Sequence, residues 1–366
     1  MRILFAGGGT GGHLYPALAI AEEMKRIDND CSIEFIGTKY GLEYRMKDSL
    51  GYKLHTIAMR GIPRSLSIGL LAFPFRLISS VMKCRRIFKS FNPDVVVGTG
   101  GYVAGPPIIA ASIGNIPCVL QEQNSYPGMV TRKFASKTNL VFLAYKQAEK
   151  YLPEGVDRKF IGNPIRCSII SGNREKALEQ FGLHNDRKTI LILGGSQGAH
   201  RINEAILNSI DKLDNGIQVL WQCGKRDYTE VKARLNKRDF VVSLFPFSND
   251  MKSVYAAADI AIARAGALTI AELTACGIPA IFIPYPHATA DHQTHNAEAI
   301  VEAGAAEMIT DSKLDEVDVL TRAVDILRSD NYTTMKQAAA EIGQPGAAAQ
   351  IAKDIFSLVK GDRIDN

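Results

Sequence analysis

The residues best suited to chemistry lie close to the N-terminus, where glycine occupies five of the six positions Gly7–Gly12 and His13 follows. Glycines let backbone N–H groups approach an anion, and the N-terminus of a following helix adds partial positive charge. The run therefore predicts a cradle for a phosphate or diphosphate, with His13 at its lip. A tight turn that binds nothing is the alternative, but such a turn requires fewer glycines.

The second half of the chain repeats this pattern. The apolar run Lys188–Leu193 precedes paired glycines, a hydroxyl residue, another glycine and His200. Further on, Gly266 is predicted to open a helix in which Glu272 lies on the same face as Leu268, one turn later. A carboxylate there can accept two hydrogen bonds from a ribose diol, or can be a surface residue favoured by the helix dipole. The residues alone leave both interpretations open.

Alternating strands and helices must position these segments. Short apolar runs predict strands at Ile3–Ala6, Ser32–Gly37, 54–60, Asp94–Gly98, Ile116–Leu120, Asn139–Leu143, Lys188–Leu193, Ile217–Gln222, Val241–Leu244, Ile260–Ala263 and Pro279–Pro284. A helix is predicted to begin at Pro16, because proline favours the first helical turn. The alternation and the repeated glycine pattern predict an α/β protein of two Rossmann-like domains with parallel sheets and a cleft between them. We place the domains at 1–163 and 164–345, and expect a C-terminal helix at about 346–366 to pack back on the first.

The first glycine run is a poor match to a dinucleotide site. Gly7, Gly9 and Gly12 have the spacing of the dinucleotide fingerprint, which also requires an acidic residue at the end of the second strand for the ribose. The second predicted strand ends in Thr38 and Lys39. The sequence therefore disfavours NAD, and no cofactor is expected.

Composition narrows the class of protein. The 366 residues suffice for two domains with separate cores. The six cysteines include no Cys-x-x-Cys pair, which fits a reducing cytoplasm and argues against disulfides or a zinc ribbon. The apolar start is too short for a signal peptide, and no run of about 18 or more uncharged apolar residues predicts a spanning helix.

Two segments have spacings that suggest metal ligands. Asp291, His292 and His295 lack the glutamate of the zinc-protease pattern, so a capped helix with solvated histidines is the simpler interpretation. Asp28 and Asp30 precede a predicted strand, at the edge opposite the glycine loops, and are interpreted as a helix-to-strand turn. No metal is expected.

A basic segment contrasts with the modest net charge of +5. Between Asp48 and Asp94 no residue is acidic and eight are basic: Lys53, Arg60, Arg64, Arg76, Lys83, Arg85, Arg86 and Lys89. Residues 64–91 add several large apolar side chains and favour an amphipathic helix broken at Pro74. Such a helix is typical of an anionic membrane surface, where each basic residue contributes about 1 kcal/mol. A core-facing helix with a solvated basic face is the alternative, and nucleic acid is not expected because no nucleic-acid motif accompanies the segment.

Seven motifs fall in the order and spacing of one known family: Gly8–His13, Gly100–Val103, Glu122–Asn124, Gly162–Arg166, Gly194–Ala199, Arg264–Thr269 and Asp291–Gln293. They cover nearly the whole chain. It resembles the MurG family (glycosyltransferase family 28), bacterial enzymes that transfer N-acetylglucosamine from UDP-N-acetylglucosamine (UDP-GlcNAc) to lipid I, undecaprenyl-pyrophosphoryl-MurNAc-pentapeptide. The product is lipid II, used in peptidoglycan synthesis. The resemblance implies the GT-B fold, an inverting metal-independent reaction, and peripheral attachment to the cytoplasmic face of the cell membrane.

The resemblance also implies a set of site residues. The UDP-GlcNAc site would comprise Thr10, Gly11, Gly12, Asn124, Arg166, Ser196, Ser248, Ala267, Leu268, Thr269, Glu272 and Gln293. The implied roles are the ribose for Glu272, the diphosphate for Ser196, Leu268 and Thr269 with Arg166 nearby, the sugar for Asn124 and Gln293, and the uracil edge for Ser248. The family often has an aliphatic residue at position 248, so a backbone contact is the one expected there. Ala104 replaces a serine common in the family, which removes any side-chain role at that position.

On the acceptor side, the resemblance assigns the lipid diphosphate to Gly9, Gly100, Gly101 and Tyr102. A base must take the proton of the attacking C4 hydroxyl of the muramyl sugar. His13 is the first candidate and Glu122 the second.

Other functions fit the sequence less well. A transferase from UDP-sugar to diacylglycerol or another membrane lipid shares the fold and the basic segment, but does not need a second diphosphate site. A UDP-GlcNAc epimerase shares the fold and has no use for the basic segment. A non-catalytic nucleotide-binding protein does not account for polar residues at both lips of the predicted cleft.

Overall fold

A computed structural model describes residues 1–61, 72–195, 198–235 and 241–361. The chain forms two compact units, Met1–Arg166 with the C-terminal segment from Gly346, and Cys167–Pro345. The first boundary lies just beyond the one proposed from the sequence. Each unit is built on one parallel β-sheet, which confirms the predicted α/β class.

The first sheet has seven strands in the order β3-β2-β1-β4-β5-β6-β7, each pair parallel. The strands are β1 (Arg2–Ala6), β2 (Ser32–Thr38), β3 (Lys53–Ile57), β4 (Val95–Gly98), β5 (Cys118–Glu122), β6 (Leu140–Leu143) and β7 (Arg158–Phe160). Apolar runs form the central strands because helices cover both faces of a parallel sheet. The carboxyl ends of β1, β4 and β5 therefore lie side by side.

The second sheet has six strands in the order β10-β9-β8-β11-β12-β13, again parallel. They are β8 (Lys188–Leu193), β9 (Ile217–Gln222), β10 (Val242–Phe245), β11 (Ile260–Ala263), β12 (Ala280–Phe282) and β13 (Ala306–Met308). The fully buried Trp221 belongs to the core of this unit.

The α-helices in the described residues follow in chain order. They are α1 (Gly11–Ile27), α2 (Leu42–Arg45), α3 (Phe73–Phe91), α4 (Gly101–Ile113), α5 (Met129–Phe134), α6 (Arg174–Phe181), α7 (His200–Ser209), α8 (Tyr228–Leu235), α9 (Met251–Ala256), α10 (Ala267–Ala275), α11 (His292–Glu302), α12 (Val319–Arg328), α13 (Asn331–Ile342) and α14 (Ala347–Lys360). Helix α14 packs against α1, and its Ile351 and Ile355 are fully buried in the core of the first unit.

The start of α1 differs from the prediction. The helix begins at Gly11, because the carbonyl of Thr10 accepts hydrogen bonds from the amides of His13 and Leu14 (3.3 and 3.2 Å). Pro16 lies inside the helix, close enough to its N-terminus that few intrahelical bonds are affected. His13 is thus a residue of the first helical turn rather than of a loop.

Helix α3 corresponds to the described part of the basic segment; residues 62–71 lie outside the described residues. Pro74 lies in the first turn, where proline is tolerated, and does not break the helix. Ile87 and Phe88 face the core. No helix in the described ranges is long and apolar enough to cross a membrane.

Candidate active site

His13 is held by a hydrogen-bond network at the carboxyl edge of the first sheet. Its Nδ1 lies 3.1 Å from the carbonyl oxygen of Thr99 and 2.9 Å from Oε1 of Gln123. Nε2 of the Gln123 side chain donates to the carbonyls of Thr99 (2.7 Å) and Gln121 (3.1 Å), and these two bonds fix the orientation of that side-chain amide. Both partners of Nδ1 are therefore acceptors, so Nδ1 carries a proton, and in the neutral imidazole Nε2 has the lone pair.

Two glycines leave space for this imidazole. A β-carbon at Gly100 would lie 2.8 Å from Nδ1 of His13, and one at Gly101 would lie 3.0 Å from its Cδ2. Both glycines also have positive φ angles, +92° and +71°, which other residues rarely adopt. The loop before α4 is therefore shaped around His13 as well as around the helix N-terminus.

Glu43 is a buried acidic residue beside the first glycine run, which the sequence analysis missed. It is fully buried, and its carboxylate accepts hydrogen bonds from the amide of Gly9 (2.7 Å), the amide of Thr38 (2.8 Å) and the hydroxyl of Thr38 (3.2 Å). The dinucleotide fingerprint places an acid at the end of β2, whereas Glu43 lies in α2 and its side chain extends to the glycine run. The glycines at 37 and 41, which have no part in a phosphate cradle, were the available signal.

Glu122 is committed to its own loop. It is 2% exposed, and its carboxylate accepts hydrogen bonds from the backbone and side-chain amides of Asn124 (3.0 and 3.2 Å), the amide of Gly128 (2.9 Å) and the hydroxyl of Thr131 (2.6 Å). A buried carboxylate whose two oxygens both accept hydrogen bonds is poorly placed to take a proton from substrate. The geometry assigns Glu122 to positioning Asn124 and disfavours it as the second candidate base.

Arg166 belongs to the first unit, not to the second as the sequence analysis proposed. Its guanidinium lies 5.9 Å from the ring centroid of Tyr15 in α1. Burial raises the pKa of the neighbouring Glu22, and the charge of Arg166 offsets part of that rise.

In the second unit, a tyrosine holds one carboxylate oxygen of Glu272. The hydroxyl of Tyr255, a buried side chain, donates to Oε2 of Glu272 at 2.7 Å. Helix α10 begins at Ala267 after Gly266, as predicted, and the first-turn amides of a helix have no partner within it. The half-buried Leu268 and Thr269 occupy this turn.

Two further predicted contacts have defined orientations. The amide of Ser248 donates to Oε1 of Gln222 (3.1 Å), and its hydroxyl accepts from the amide of Asp250 (3.0 Å). Oε1 of Gln293 accepts from the amide of Tyr285 (2.9 Å), so its Nε2 group is turned the other way. Ser196 lies outside the described residues.

Comparison with known proteins places the chain in a family. The model of the glycosyltransferase family 28 N-terminal domain matches residues 3–143, and the model of the family 28 C-terminal domain matches residues 189–355. The chain belongs to glycosyltransferase family 28. It is therefore a glycosyltransferase, as predicted from the motifs.

Similar proteins match over almost their whole length. One from Chlorobaculum parvum is 40% identical, covering 98% of this chain and all of the relative. One from Flavobacterium psychrophilum is 39% identical, covering 99% of each. Both are named UDP-N-acetylglucosamine–N-acetylmuramyl-(pentapeptide) pyrophosphoryl-undecaprenol N-acetylglucosamine transferase.

A crystal structure of MurG from Acinetobacter baumannii is 29% identical, with a TM-score of 0.78 and coverage of 98% of this chain and 99% of that one. This similarity confirms the predicted GT-B fold class.

Proposed function

We propose that this family 28 enzyme transfers N-acetylglucosamine from UDP-GlcNAc to the C4 hydroxyl of the muramyl sugar of lipid I, giving lipid II with a β-linkage. The names of full-length relatives at about 40% identity support the substrates and the reaction. The observation that carries the mechanism is the pair of acceptors, the Thr99 carbonyl and Oε1 of Gln123, at Nδ1 of His13. The names of these relatives lend no support to the diacylglycerol alternative.

His13 is the proposed general base. Its Nε2 takes the proton of the C4 hydroxyl while that oxygen attacks the anomeric carbon, and the bond to the UDP oxygen breaks with its electron pair. The imidazolium formed keeps its Nδ1–H bonds to Thr99 and Gln123, which stabilise the added charge. In the neutral imidazole this arrangement leaves the lone pair on Nε2, the nitrogen that the proposed reaction uses.

The proposed UDP-GlcNAc contacts lie mainly in the second unit. Glu272, oriented by Tyr255, accepts hydrogen bonds from the ribose diol. The first-turn amides of α10 stabilise the charge that develops on the departing diphosphate, so that no metal is needed. Further donor contacts are proposed for Thr10, Gly11, Gly12, Asn124, Arg166, Ser196, the backbone of Ser248, and Gln293.

The proposed acceptor contacts lie in the first unit. The amides of Gly101 and Tyr102 at the start of α4, with Gly100, bind the lipid diphosphate close to His13. We leave Gly9 out of this set, because its amide already donates to Glu43.

Helix α3 is the proposed membrane contact. Its exposed Phe75 (76%), Ile78 (59%) and Met82 (54%) follow at helical spacing, and the exposed Arg85 and Lys89 continue the stripe. An apolar row flanked by cations fits an anionic leaflet. We propose peripheral attachment to the cytoplasmic face of the cell membrane.

A transfer assay tests the proposed reaction. Purified protein is given labelled UDP-GlcNAc with a lipid I analogue, with diacylglycerol, or with neither. We expect label in the lipid I analogue alone. Absence of transfer to that acceptor, from protein that binds UDP, would refute the proposal.

Vesicle flotation tests the membrane contact. Phe75→Ser with Met82→Ser should lower binding to vesicles of anionic phospholipid, and binding of the wild type should weaken with salt because the cations are exposed. Ile113→Ser is the matched control, since it removes an exposed apolar residue of α4. Equal loss in the control would assign the effect to general surface apolarity.

A further inference from the structure

Glu43 is a buried carboxylate that the proposed reaction does not use. It has no ion pair among the described residues and is held by two backbone amides and one hydroxyl, from Gly9 and Thr38. Burying a charge costs free energy unless hydrogen bonds replace its hydration. The chain therefore keeps this carboxylate in place with three donors.

Three glycines make room for it. A β-carbon at Gly8 would lie 2.4 Å from Cδ of Glu43, one at Gly37 would lie 2.4 Å from its Cγ, and one at Gly41 would meet its carboxylate oxygens. Gly8, Gly37 and Gly41 all have negative φ angles, so backbone conformation does not require glycine at these positions. Part of the glycine pattern is therefore explained by the carboxylate rather than by a substrate.

We propose that Glu43 is a positioning residue whose carboxylate is a resident anion at the first glycine run, in the place where a Rossmann-like loop would hold a phosphate. Gly9 then is not a diphosphate ligand, and a substrate phosphate is kept away from this amide by the negative charge already there. The kinetic tests of this inference rest on the proposed function, because they use the lipid I analogue as acceptor. The binding test does not.

The effect reaches the acceptor contacts through packing. A β-carbon at Gly101 would lie 3.0 Å from the carbonyl oxygen of Gly8, and one at Gly9 would lie 3.6 Å from the ring of Tyr102. A shift of residues 8 and 9 would therefore displace Gly101 and Tyr102. The residues proposed for the ribose and the uracil lie in the other unit and are not in this chain of contacts.

Glu43→Gln tests this role in the full-length protein. The substitution keeps the size but places an N–H₂ group against an amide donor of Gly9 or Thr38. We expect the KM for the lipid I analogue to rise about tenfold, and the KM for UDP-GlcNAc to rise less, because the proposed ribose and uracil contacts lie in the other unit. Asp354→Asn is the control, because Asp354 is a buried carboxylate of α14 in the same unit.

An unchanged acceptor KM in folded Glu43→Gln would overturn the inference. If that variant does not fold, Thr38→Val removes one donor to the carboxylate. It should raise the acceptor KM about twofold to threefold, consistent with one hydrogen bond. An unchanged acceptor KM in Thr38→Val would then count equally against it.

A binding readout is independent of transferase activity. The amide NMR signal of Gly9 is followed while inorganic pyrophosphate is added. We expect no shift in the wild type and a saturable shift in Glu43→Ala, where the anion position is vacated. A saturable shift of Gly9 in the wild type would show the position to be open to substrate and overturn the inference, even if the transfer assay had failed.

Discussion

The two glycine runs, so similar in sequence, have different surroundings. At the first, the amide of Gly9 donates to the carboxylate of Glu43. At the second, the buried Asp227 accepts from the side chains of His200 and Asn203 in α7. No described carboxylate accepts from the described amides Gly194, Gly195 and Gly198 of the second run. A glycine pattern therefore predicts an anion position but not whether the chain itself supplies the anion.

Each unit nevertheless places one proposed site residue beside a buried partner. Gln123 orients His13 in the first unit, and Tyr255 orients Glu272 in the second. The first pair is suited to moving a proton and the second to binding a diol. We therefore expect variants of the first pair to change kcat and variants of the second to change KM for UDP-GlcNAc.

His13→Ala carries the largest expected effect. Loss of a general base lowers turnover about 10²- to 10⁴-fold. UDP binding, measured by calorimetry, should persist because the nucleotide is assigned to the other unit. Turnover close to that of the wild type would show that His13 is not the general base, and the proposed difference in role between the two units would fail.

Glu272→Gln is expected to act on binding. A hydrogen bond to a charged group is worth about 1.5–3 kcal/mol, so KM for UDP-GlcNAc should rise about 10- to 100-fold. Tyr255→Phe should give a smaller rise, since the carboxylate remains but is no longer oriented. Glu302→Gln, at the exposed end of α11, is the control. A fall in kcat with constant KM would contradict the assignment.

Gln123→Ala removes one of the two acceptors from Nδ1 of His13. One hydrogen bond contributes about 1 kcal/mol, which predicts about a fivefold fall in kcat with little change in either KM. Gln350→Ala, in α14 of the same unit, should leave kcat unchanged. If kcat is insensitive to Gln123, the Thr99 carbonyl alone fixes the tautomer.

Asp318→Asn tests a stabilising contact of the second unit that is separate from the proposed site. Asp318 caps α12 by accepting from the amide of Thr321 (3.0 Å). Burial raises the pKa of Asp318, but hydrogen bonds from Lys212 and Thr321 outweigh it and lower that pKa to about 2. Asparagine can keep the N-cap bond but loses the charge that faces Lys212 and the helix N-terminus, so the free energy of unfolding should fall by about 1 kcal/mol at neutral pH, with unchanged kinetics.

The sign of the pH dependence follows from the lowered pKa. The carboxylate stabilises the fold above its ordinary pKa, and this contribution is lost as the pH falls from about 4 towards 2. The difference between Asp318→Asn and the wild type in urea unfolding should therefore shrink over that range. Asp325→Asn, on the same helix and exposed, serves as the reference. A difference that stays constant with pH would contradict a role for the charged form.

The sequence predicted the sheets better than the site. Apolar runs such as Ile3–Ala6 and Ile260–Ala263 are confirmed as strands because burial on both faces requires a continuous apolar stretch. The predicted start of α1 at Pro16 was wrong, because the carbonyl of Thr10 already accepts helical hydrogen bonds. Residue types alone do not reveal that contact.

The roles of the acidic residues depend on contacts distant in sequence. Glu122 follows an apolar run, and nothing local indicates that Gly128 and Thr131 hold its carboxylate. Glu43 lies outside the strand end where the fingerprint places an acid. Glu272 could be considered for a ribose because its helix and the opening Gly266 are adjacent in the chain, but the residues alone left its role open.

The return of α14 to the first unit also sets an order of assembly during synthesis. Residues 167–345 form a continuous segment whose sheet can close before translation ends. The first unit contains the N-terminal residues, yet it lacks Ile351 and Ile355 until the last helix leaves the ribosome. Nascent chains stopped before Gly346 should therefore hold a folded second unit and an incompletely packed first unit.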